Sequence, residues 1–346
     1  MILSNSVSDA NISSFGKQFR KVMKKILTPF VWDILRSLIN KQIRKRMKVQ
    51  TLLQSKIDGP IAFCIVHWNA PDFLLLSVNQ LELLYPHCSI YILDNGSKHT
   101  NLVSILSELK QFNNVTLFSL LGCPNWGKKF GLDTLFDWQT HSAGLQFLLN
   151  YSAKQLDEIA VFLDQDCILT RHIDALFSKF NSEVVLIGAR DYLIVPDDYG
   201  PLKKGRKTRN SYNLIHPSFM ILQPNRINQL FGKYSLYDKR TQSSKFYAER
   251  AMPEPYHGIS FKALGKILYL ETSMHAKIPF LTSYVYNGTI YAWHAWYSSR
   301  TTGVYRASLL DGLPVSWLQD VRKAEYEFMK QISRNSANVQ NSYDSQ

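Results

Sequence analysis

The stretch IAVFLDQDCIL at residues 159–169 decides how the rest of the chain is interpreted. It opens with five apolar residues, which is typical of a strand buried on both faces of a sheet. Asp164 and Asp166 follow, and both carboxylates can point into one site because alternate side chains of extended backbone share a face. Paired buried carboxylates are costly without a nearby cation, so the pattern favours a site for a hard divalent cation bound to a diphosphate. The alternative is a pair that only forms a turn and caps a helix before His172.

Strand-like and helix-like segments alternate on the N-terminal side of this stretch. Short apolar runs predict buried strands, and apolar residues spaced three and four apart predict helices between them. The strands are IAFCIV (61–66), SIYIL (89–93) and VTLFS (115–119), and the helices are one that ends at Leu84 and two more at 100–111 and 140–152. This alternation predicts an α/β fold, a mostly parallel, Rossmann-like sheet with helices on both faces.

Polar clusters follow three of the predicted strands, at residues 67–72, 94–97 and 164–166. The carboxyl ends of parallel strands meet at one edge of a sheet, and ligands bind there. We therefore expect the three clusters to lie together and to form the active site.

The alternation is less regular after Asp166. Further strands are predicted at 184–190, 216–222 and 266–270, and a short helix at 257–265. We divide the chain into a basic helical segment (1–58), an α/β domain (59–312), a C-terminal amphipathic helix (313–334) and a tail (335–346) with too little apolar content to fold.

The ordered motifs resemble the family 2 glycosyltransferases of the GT-A fold, especially the bacterial enzymes that extend cell-surface polysaccharides. The resemblance rests on IAFCIVHWNAPDFLLLSVNQL, CSIYILDNGSK, GCPNWGKKFG, HSAGLQFLL and IAVFLDQDCIL, and it covers residues 60–170 closely and 184–300 more loosely. It implies a GT-A catalytic domain that uses a metal ion to move a sugar from a nucleotide-sugar donor to a glycan or lipid-linked glycan acceptor.

The same resemblance implies which residues bind the nucleotide. The first strand and its loop, with His67 and Asn69, would hold the nucleotide, and Asp94 would contact its base or ribose. Asn125 and Gly127 would line the nucleotide cleft.

The resemblance also implies a metal site. Asp164 and Asp166 match the Asp-x-Asp pair of the family, whose second aspartate binds Mg²⁺ or Mn²⁺ on the diphosphate. The segment TIYAWHAWYSSRTTG (289–303) looks like the late histidine region of the family, so His294 would be a metal ligand or a contact to the diphosphate. Imidazole suits Mn²⁺ better than Mg²⁺. The alternative role for His294 is that of a core histidine packed among aromatic residues. Arg300 is either a clamp on the leaving diphosphate or a solvated loop residue.

The general base is expected in the stretch ERAMPEPYHG (249–258). Inverting members of the family use a carboxylate to deprotonate the acceptor hydroxyl. His257 stands where many relatives have an aspartate, so Glu254 is the first candidate for the base, with Glu249 and His257 behind it. Helix capping is the alternative role for Glu254.

Basic charge is concentrated in residues 1–58, which hold twelve Lys and Arg residues against three Asp, a net +9 of the chain's +13. Apolar residues recur at three- and four-residue steps from Phe19 to Leu38, which predicts an amphipathic helix interrupted at Pro29. Two interpretations stay open. The helix lies on an anionic membrane surface, or it packs on the domain behind it with its charges in water. No nucleic-acid partner is expected, because no stacking aromatic residues or recognisable binding motif accompany the charges.

The composition is that of a globular protein. Of the 346 residues 45% are hydrophobic, and no apolar run reaches the roughly 18 residues that a membrane-spanning helix needs. The N-terminus lacks the features of a secretory signal.

Four cysteines, at 64, 88, 123 and 167, show no paired spacing, which predicts buried reduced thiols. We expect a cytoplasmic protein, peripheral on the inner face of the plasma membrane where the basic segment binds lipid.

Two other functions compete with sugar transfer. A nucleotidyltransferase on a similar sheet would also use paired aspartates, but its first loop usually carries Gly and basic residues, and HWNAPDF (67–73) has no Gly, Arg or Lys. The second is a non-catalytic, basic peripheral membrane protein with a decayed transferase domain. The joint presence of Asp94, Asp164, Asp166 and His294 argues against decay.

Overall fold

The computed structural model describes residues 48–57, 59–97, 99–121, 141–190, 215–231, 237–238, 243–244, 266–295 and 315–344. Its strands are β1 (Lys48–Leu53), β2 (Ile61–His67), β3 (Ser89–Asp94), β4 (Val115–Leu121), β5 (Ile159–Asp164), β6 (Cys167–Leu169), β7 (Val184–Arg190), β8 (Ile215–Leu222), β9 (Tyr237–Asp238), β10 (Ser243–Ser244), β11 (Lys266–Met274), β12 (Leu281–Tyr286) and β13 (Thr289–Ala295). Its helices are α1 (Pro71–Leu84), α2 (His99–Leu109), α3 (His141–Gln155), α4 (Asp174–Phe177), α5 (Pro224–Phe231) and α6 (Val315–Asp344).

Eleven of these strands form one sheet, in the order β1-β4-β3-β2-β5-β8-β7-β11-β12-β13-β6. The four strands β4, β3, β2 and β5 at its centre are parallel. Strand β8 enters antiparallel between β5 and β7, and β7 pairs in parallel with β11. The remaining pairs, on both flanks, are antiparallel. The predicted α/β class is confirmed, with the parallel pairing concentrated at the centre of the sheet.

The central strands are buried on both faces because alternate residues pack against different helices. Phe63 and Ile65 of β2 lie in one apolar cluster with residues of α1 and α2. Ala62, Cys64 and Val66 lie in a second cluster with residues of α3. Helix α3 approaches the sheet closely at Gly144, where a Cβ atom would stand 2.8 Å from a methyl group of Val66. This two-sided burial explains why the central strands are continuous apolar runs in the sequence.

Three of the four cysteines, Cys64, Cys88 and Cys167, are buried free thiols, as predicted. Cys123 lies outside the described residues. Burial raises the pKa of the Cys64 and Cys167 thiols well above its ordinary value.

The sheet begins earlier than predicted. Residues 48–53, which the sequence assigned to a basic helical segment, form the edge strand β1 and pair antiparallel with β4. The turn after β1 is also tied to the domain, since the backbone N–H of Lys56 donates to the carbonyl of Asn113 at 2.7 Å. An edge strand of six residues shows only a short alternation of apolar and polar residues. The basic residues around it favoured its assignment to the basic helical segment. Residues 1–47 lie outside the described residues.

The C-terminal helix is longer than predicted. Helix α6 continues to Asp344, through most of the tail that was expected not to fold. No Gly or Pro interrupts residues 315–344, and each residue added to an existing helix gains a hydrogen bond without a new nucleation cost. In the part of the chain that the structure describes, no helix is both long and apolar enough to cross a bilayer. The helix predicted at 257–265 lies outside the described residues.

Candidate active site

Strands β2, β3 and β5 bring the predicted polar clusters to one edge of the sheet. The three strands are adjacent and parallel, and they end at His67, Asp94 and Asp164. In their register His67 is opposite Asp94, and Val66 is opposite Asp164. The topology therefore collects side chains from three distant parts of the chain at this edge.

Asp164, Asp166 and His294 form a compact, largely buried group there. One ligand atom of each residue can be chosen so that all three atoms lie within 4.8 Å of one another. Nε2 of His294 is 3.3 Å from Oδ2 of Asp164 and 3.4 Å from Oδ1 of Asp166. The short strand β6 sets this arrangement, since it places Cys167 opposite His294 of β13 and lets Ala295 N–H donate to the carbonyl of Asp166 at 2.9 Å.

Asp164 and Asp166 favour the protonated form of His294 when no cation is bound. Burial acts to lower the pKa of its imidazole, but the hydrogen bonds and charges of Asp164 and Asp166 outweigh burial and raise the pKa to about 9. The imidazolium thus supplies the positive charge that the two carboxylates need. A divalent cation bound by the same three side chains would replace that proton, so the donor set fits such an ion.

Tyr284 and Ser218 support His294 from behind, and sequence reasoning missed both. The Tyr284 hydroxyl lies 2.9 Å from Nδ1 of His294 and is also hydrogen-bonded to the Ser218 hydroxyl. When Nδ1 donates its proton to this oxygen, the lone pair of Nε2 is free to bind a cation. A signal in the sequence was available: Asn287-Gly288 is a typical hairpin turn, and it predicts that β12 carries Tyr284 beside β13.

His67 and Asp94 form a second buried pair, one strand away. Nδ1 of His67 lies 3.0 Å from Oδ1 of Asp94, and the side chains are 0% and 1% exposed. Ser97 N–H donates to the other carboxylate oxygen at 3.2 Å. Burial acts to raise the pKa of Asp94, but the hydrogen bonds of His67 and Ser97 outweigh it and hold this pKa below its ordinary value. The turn that follows requires Gly96, whose φ is +75°.

The loop after β2 is fastened through its own backbone N–H groups. Trp68 N–H donates to Oε1 of Gln165 at 2.6 Å, and Asn69 N–H donates to the Ser97 hydroxyl at 2.9 Å. Ala70 N–H donates to Nε2 of His67 at 3.2 Å. Gln165, the middle residue of the Asp-x-Asp pair, also donates to the carbonyl of Trp68 at 3.2 Å. This residue therefore ties the loop to the carboxylate pair, a role that the sequence did not indicate.

Helix α6 closes the site on the side of α1. Nη2 of Arg322 lies 2.7 Å from both carboxylate oxygens of Asp72, in the first turn of α1. The same guanidinium lies over the Phe73 ring, 5.0 Å from its centroid. Met329 packs about two turns further on, in a cluster with Ala70 and Ala295.

The structure thus brings together six of the residues named from the sequence: His67, Asn69, Asp94, Asp164, Asp166 and His294. The other predicted site residues, Asn125, Gly127, Glu249, Glu254, His257 and Arg300, lie outside the described residues.

No family model and no curated protein matches the chain. Solved structures that are similar to it include the galactosyltransferase LgtC with donor and acceptor sugar analogues, at 14% identity over 60% of this chain and 73% of that chain, with a TM-score of 0.36. Residues 1–349 of TarS from S. aureus match at 13% identity over 78% and 71%, with a TM-score of 0.39.

A third structure is the mannosyltransferase PcManGT from Pyrobaculum calidifontis with GDP-Man and Mn²⁺, at 10% identity over 97% of this chain and all of that chain, with a TM-score of 0.38. Similarities of this strength are distant.

Proposed function

We propose that this protein is a metal-dependent glycosyltransferase that moves a sugar from a nucleotide-sugar donor to a hydroxyl group of a glycan or lipid-linked glycan. The observation that carries the proposal is the group of Asp164, Asp166 and His294 at the carboxyl end of a central parallel strand. Ligands bind at this edge in open α/β sheets. Two carboxylates and one imidazole are suitable ligands for Mn²⁺ or Mg²⁺, with Mn²⁺ favoured by the imidazole.

The chain's own side chains would hold the donor and orient its diphosphate. A bound divalent cation would stabilise the negative charge of the departing nucleoside diphosphate. Asp166 and His294 would bind that ion, with Asp164 as the third ligand of the group. His67, Asn69 and Asp94 would shape the neighbouring nucleotide site, because their hydrogen bonds join the loops after β2 and β3.

The acceptor hydroxyl would be deprotonated by a carboxylate from residues 249–258, with Glu254 as first candidate and Glu249 and His257 as the others. Inversion at the anomeric carbon follows if that base and the leaving diphosphate stand on opposite faces of the sugar. Arg300 would contribute a guanidinium to the diphosphate, and Asn125 and Gly127 would line the nucleotide cleft.

The structure disfavours a nucleotidyltransferase that holds a triphosphate in the first loop. Such a loop needs free backbone N–H groups. The three consecutive N–H groups of Trp68, Asn69 and Ala70 instead donate to Gln165, Ser97 and His67. These N–H groups are therefore already used within the protein and do not favour binding of a triphosphate by this loop.

Metal-dependent hydrolysis of a panel of nucleotide-sugars, measured as released nucleoside diphosphate, tests the proposal. We expect turnover with one donor in Mn²⁺ and none in a chelator. Asp166→Asn should lower kcat by about 100-fold or more, since it removes stabilisation of charge in the transition state. Asp174→Asn is the matched control, because Asp174 is exposed on α4 and should have no effect. Pyrophosphate release from nucleoside triphosphates, with no turnover of any nucleotide-sugar, would contradict sugar transfer.

A further inference from the structure

Glu325 is a buried acid in the first half of α6 to which no sequence pattern pointed. The residue is 1% exposed. Neither of its carboxyl oxygens has a hydrogen-bond partner in the described part of the chain. Buried polar groups are nearly always paired, and a carboxyl without a donor is among the costliest exceptions. An unpaired carboxyl at this depth therefore requires an explanation from its surroundings.

The contacts of α6 place Glu325 against the candidate metal site. Arg322, three residues earlier, is held by Asp72, and Met329, four residues later, packs with Ile168 and Ala295. Residues spaced three, four and seven apart share one face of a helix, so Glu325 faces the same way. Ile168 is two residues from Asp166 in the chain, and Ala295 follows His294 directly.

The electrostatic neighbours of Glu325 agree with this placement. Burial raises the pKa of its carboxyl well above the ordinary value, and the charge of Asp166 raises it further, while His294 and Arg322 act to lower it. The guanidinium of Arg322 is itself hydrogen-bonded to both carboxylate oxygens of Asp72.

Simple packing does not explain an acid at this position. The other buried residues of this helix in the described part, Leu318, Val321 and Met329, are apolar. A leucine or methionine at 325 would fill the same space without a buried carboxyl. The acid is therefore better explained by a partner at the site than by the stability of the helix.

We propose that Glu325 is an outer carboxylate of the divalent-cation site, where it accepts a hydrogen bond from a water molecule bound to the ion held by Asp164, Asp166 and His294. The inference rests on the proposed metal site. The ligand atoms of Asp164, Asp166 and His294 lie within 4.8 Å of one another, and Glu325 does not belong to this group. Contact through a bound water molecule is therefore favoured over direct ligation. Mg²⁺ and Mn²⁺ sites commonly keep bound water, and outer carboxylates orient it.

Direct titration of the full chain with Mn²⁺ by calorimetry tests this proposal. We expect Glu325→Gln to weaken Mn²⁺ binding by about 10- to 100-fold, the usual effect of losing an outer partner. Glu327→Gln, an exposed neighbour on the same helix, is the matched control and should bind Mn²⁺ as the parent does. Glu325→Met, which fills the space with an apolar chain, should weaken binding equally.

Thermal unfolding in chelator supplies the second measurement. Both Glu325 variants should be at least as stable as the parent without metal, and they should gain less in unfolding temperature when Mn²⁺ is added. Parent-like Mn²⁺ affinity in either variant overturns the assignment of Glu325. Parent-like affinity in Asp166→Asn overturns the metal site itself, so the two failures are distinguishable.

Discussion

The Tyr284 hydroxyl lies 2.9 Å from Nδ1 of His294, on the side of the ring opposite the two aspartates. The two residues are diagonal neighbours on adjacent strands of the β12–β13 hairpin, since Tyr284 pairs with Ala292 and His294 pairs with Thr282, and Tyr284 is fully buried. The hydroxyl also bonds to Ser218 of β8, so the position of the imidazole depends on three strands. Second partners of this kind fix the ring orientation and the proton position of histidine ligands.

Removing this hydroxyl should weaken the metal site while leaving the fold in place. We expect Tyr284→Phe to lower Mn²⁺ affinity by about 10-fold or more and the free energy of unfolding by about 1 kcal/mol. Calorimetric titration and thermal unfolding measure the two effects. Tyr286→Phe, on the same strand and only partly buried, is the control and should leave both unchanged. Parent-like Mn²⁺ affinity in Tyr284→Phe would show that the hydroxyl does not position His294.

The protonated state of His294 makes the stability of the metal-free protein depend on pH. Its pKa is raised from the ordinary 6.5 to about 9, so its contribution is fully present below about 6.5 and is lost as pH rises through 9. A shift of this size corresponds to about 3 kcal/mol at most. Unfolding temperatures measured in chelator should therefore fall between pH 6.5 and 9.

A variant isolates the histidine in this pH experiment. His294→Gln cannot titrate, so its unfolding temperature should fall less than that of the parent over the same range. Equal slopes for parent and variant would mean that His294 is not the titrating group. Saturating Mn²⁺ should reduce the slope of the parent, because the ion takes the place of the proton.

The central sheet could be predicted because its strands are buried on both faces. Continuous apolar runs such as 61–66 and 159–163 indicate burial on both faces, and the polar residues after them lie at the edge of the sheet where the strands end. The hairpin of β12 and β13 was not predicted, although Asn287 and Gly288 adopt the positive φ angles of a tight turn.

Tyr284 and Glu325 were missed for a different reason. Each is a single polar residue in an element whose pattern is explained by packing alone, and the partners of Glu325 lie far away in the chain. Their roles depend on which strands and helices meet. The Asn287-Gly288 turn indicates that Tyr284 lies beside β13, but no local pattern indicates that Glu325 lies near Asp166. Asp164 and Asp166 could be named because they follow a buried strand at alternate positions, and His294 because the ordered motifs resembled a known family.

The general base remains a prediction from the sequence. Glu254→Gln should bind a donor and Mn²⁺ nearly as the parent does but transfer sugar slowly, because the amide keeps the shape and cannot accept the proton. Single-turnover transfer and donor binding measure the two properties separately. Full transfer activity in Glu254→Gln, with inactive Glu249→Gln or His257→Ala, would move the base to one of those residues.

The basic residues before β1 are expected to bind an anionic membrane surface. Each Lys or Arg near such a surface contributes on the order of 1 kcal/mol, so a few of them suffice for reversible attachment. Because β1 is part of the sheet, the truncation that tests this must end at residue 47. Deleting residues 1–47 should preserve donor hydrolysis but reduce binding to vesicles that contain anionic lipid, and binding of the full chain should weaken with salt.

A charge variant separates lipid binding from packing in this experiment. Replacing Lys41, Arg44, Lys45 and Arg46 together by Gln removes four positive charges and keeps the length of the segment. This variant should stay soluble and bind anionic vesicles more weakly than the parent, while neutral vesicles bind neither protein. If the full chain ignores anionic vesicles, or if the truncated chain is insoluble while the charge variant binds vesicles normally, the segment packs on the catalytic domain instead.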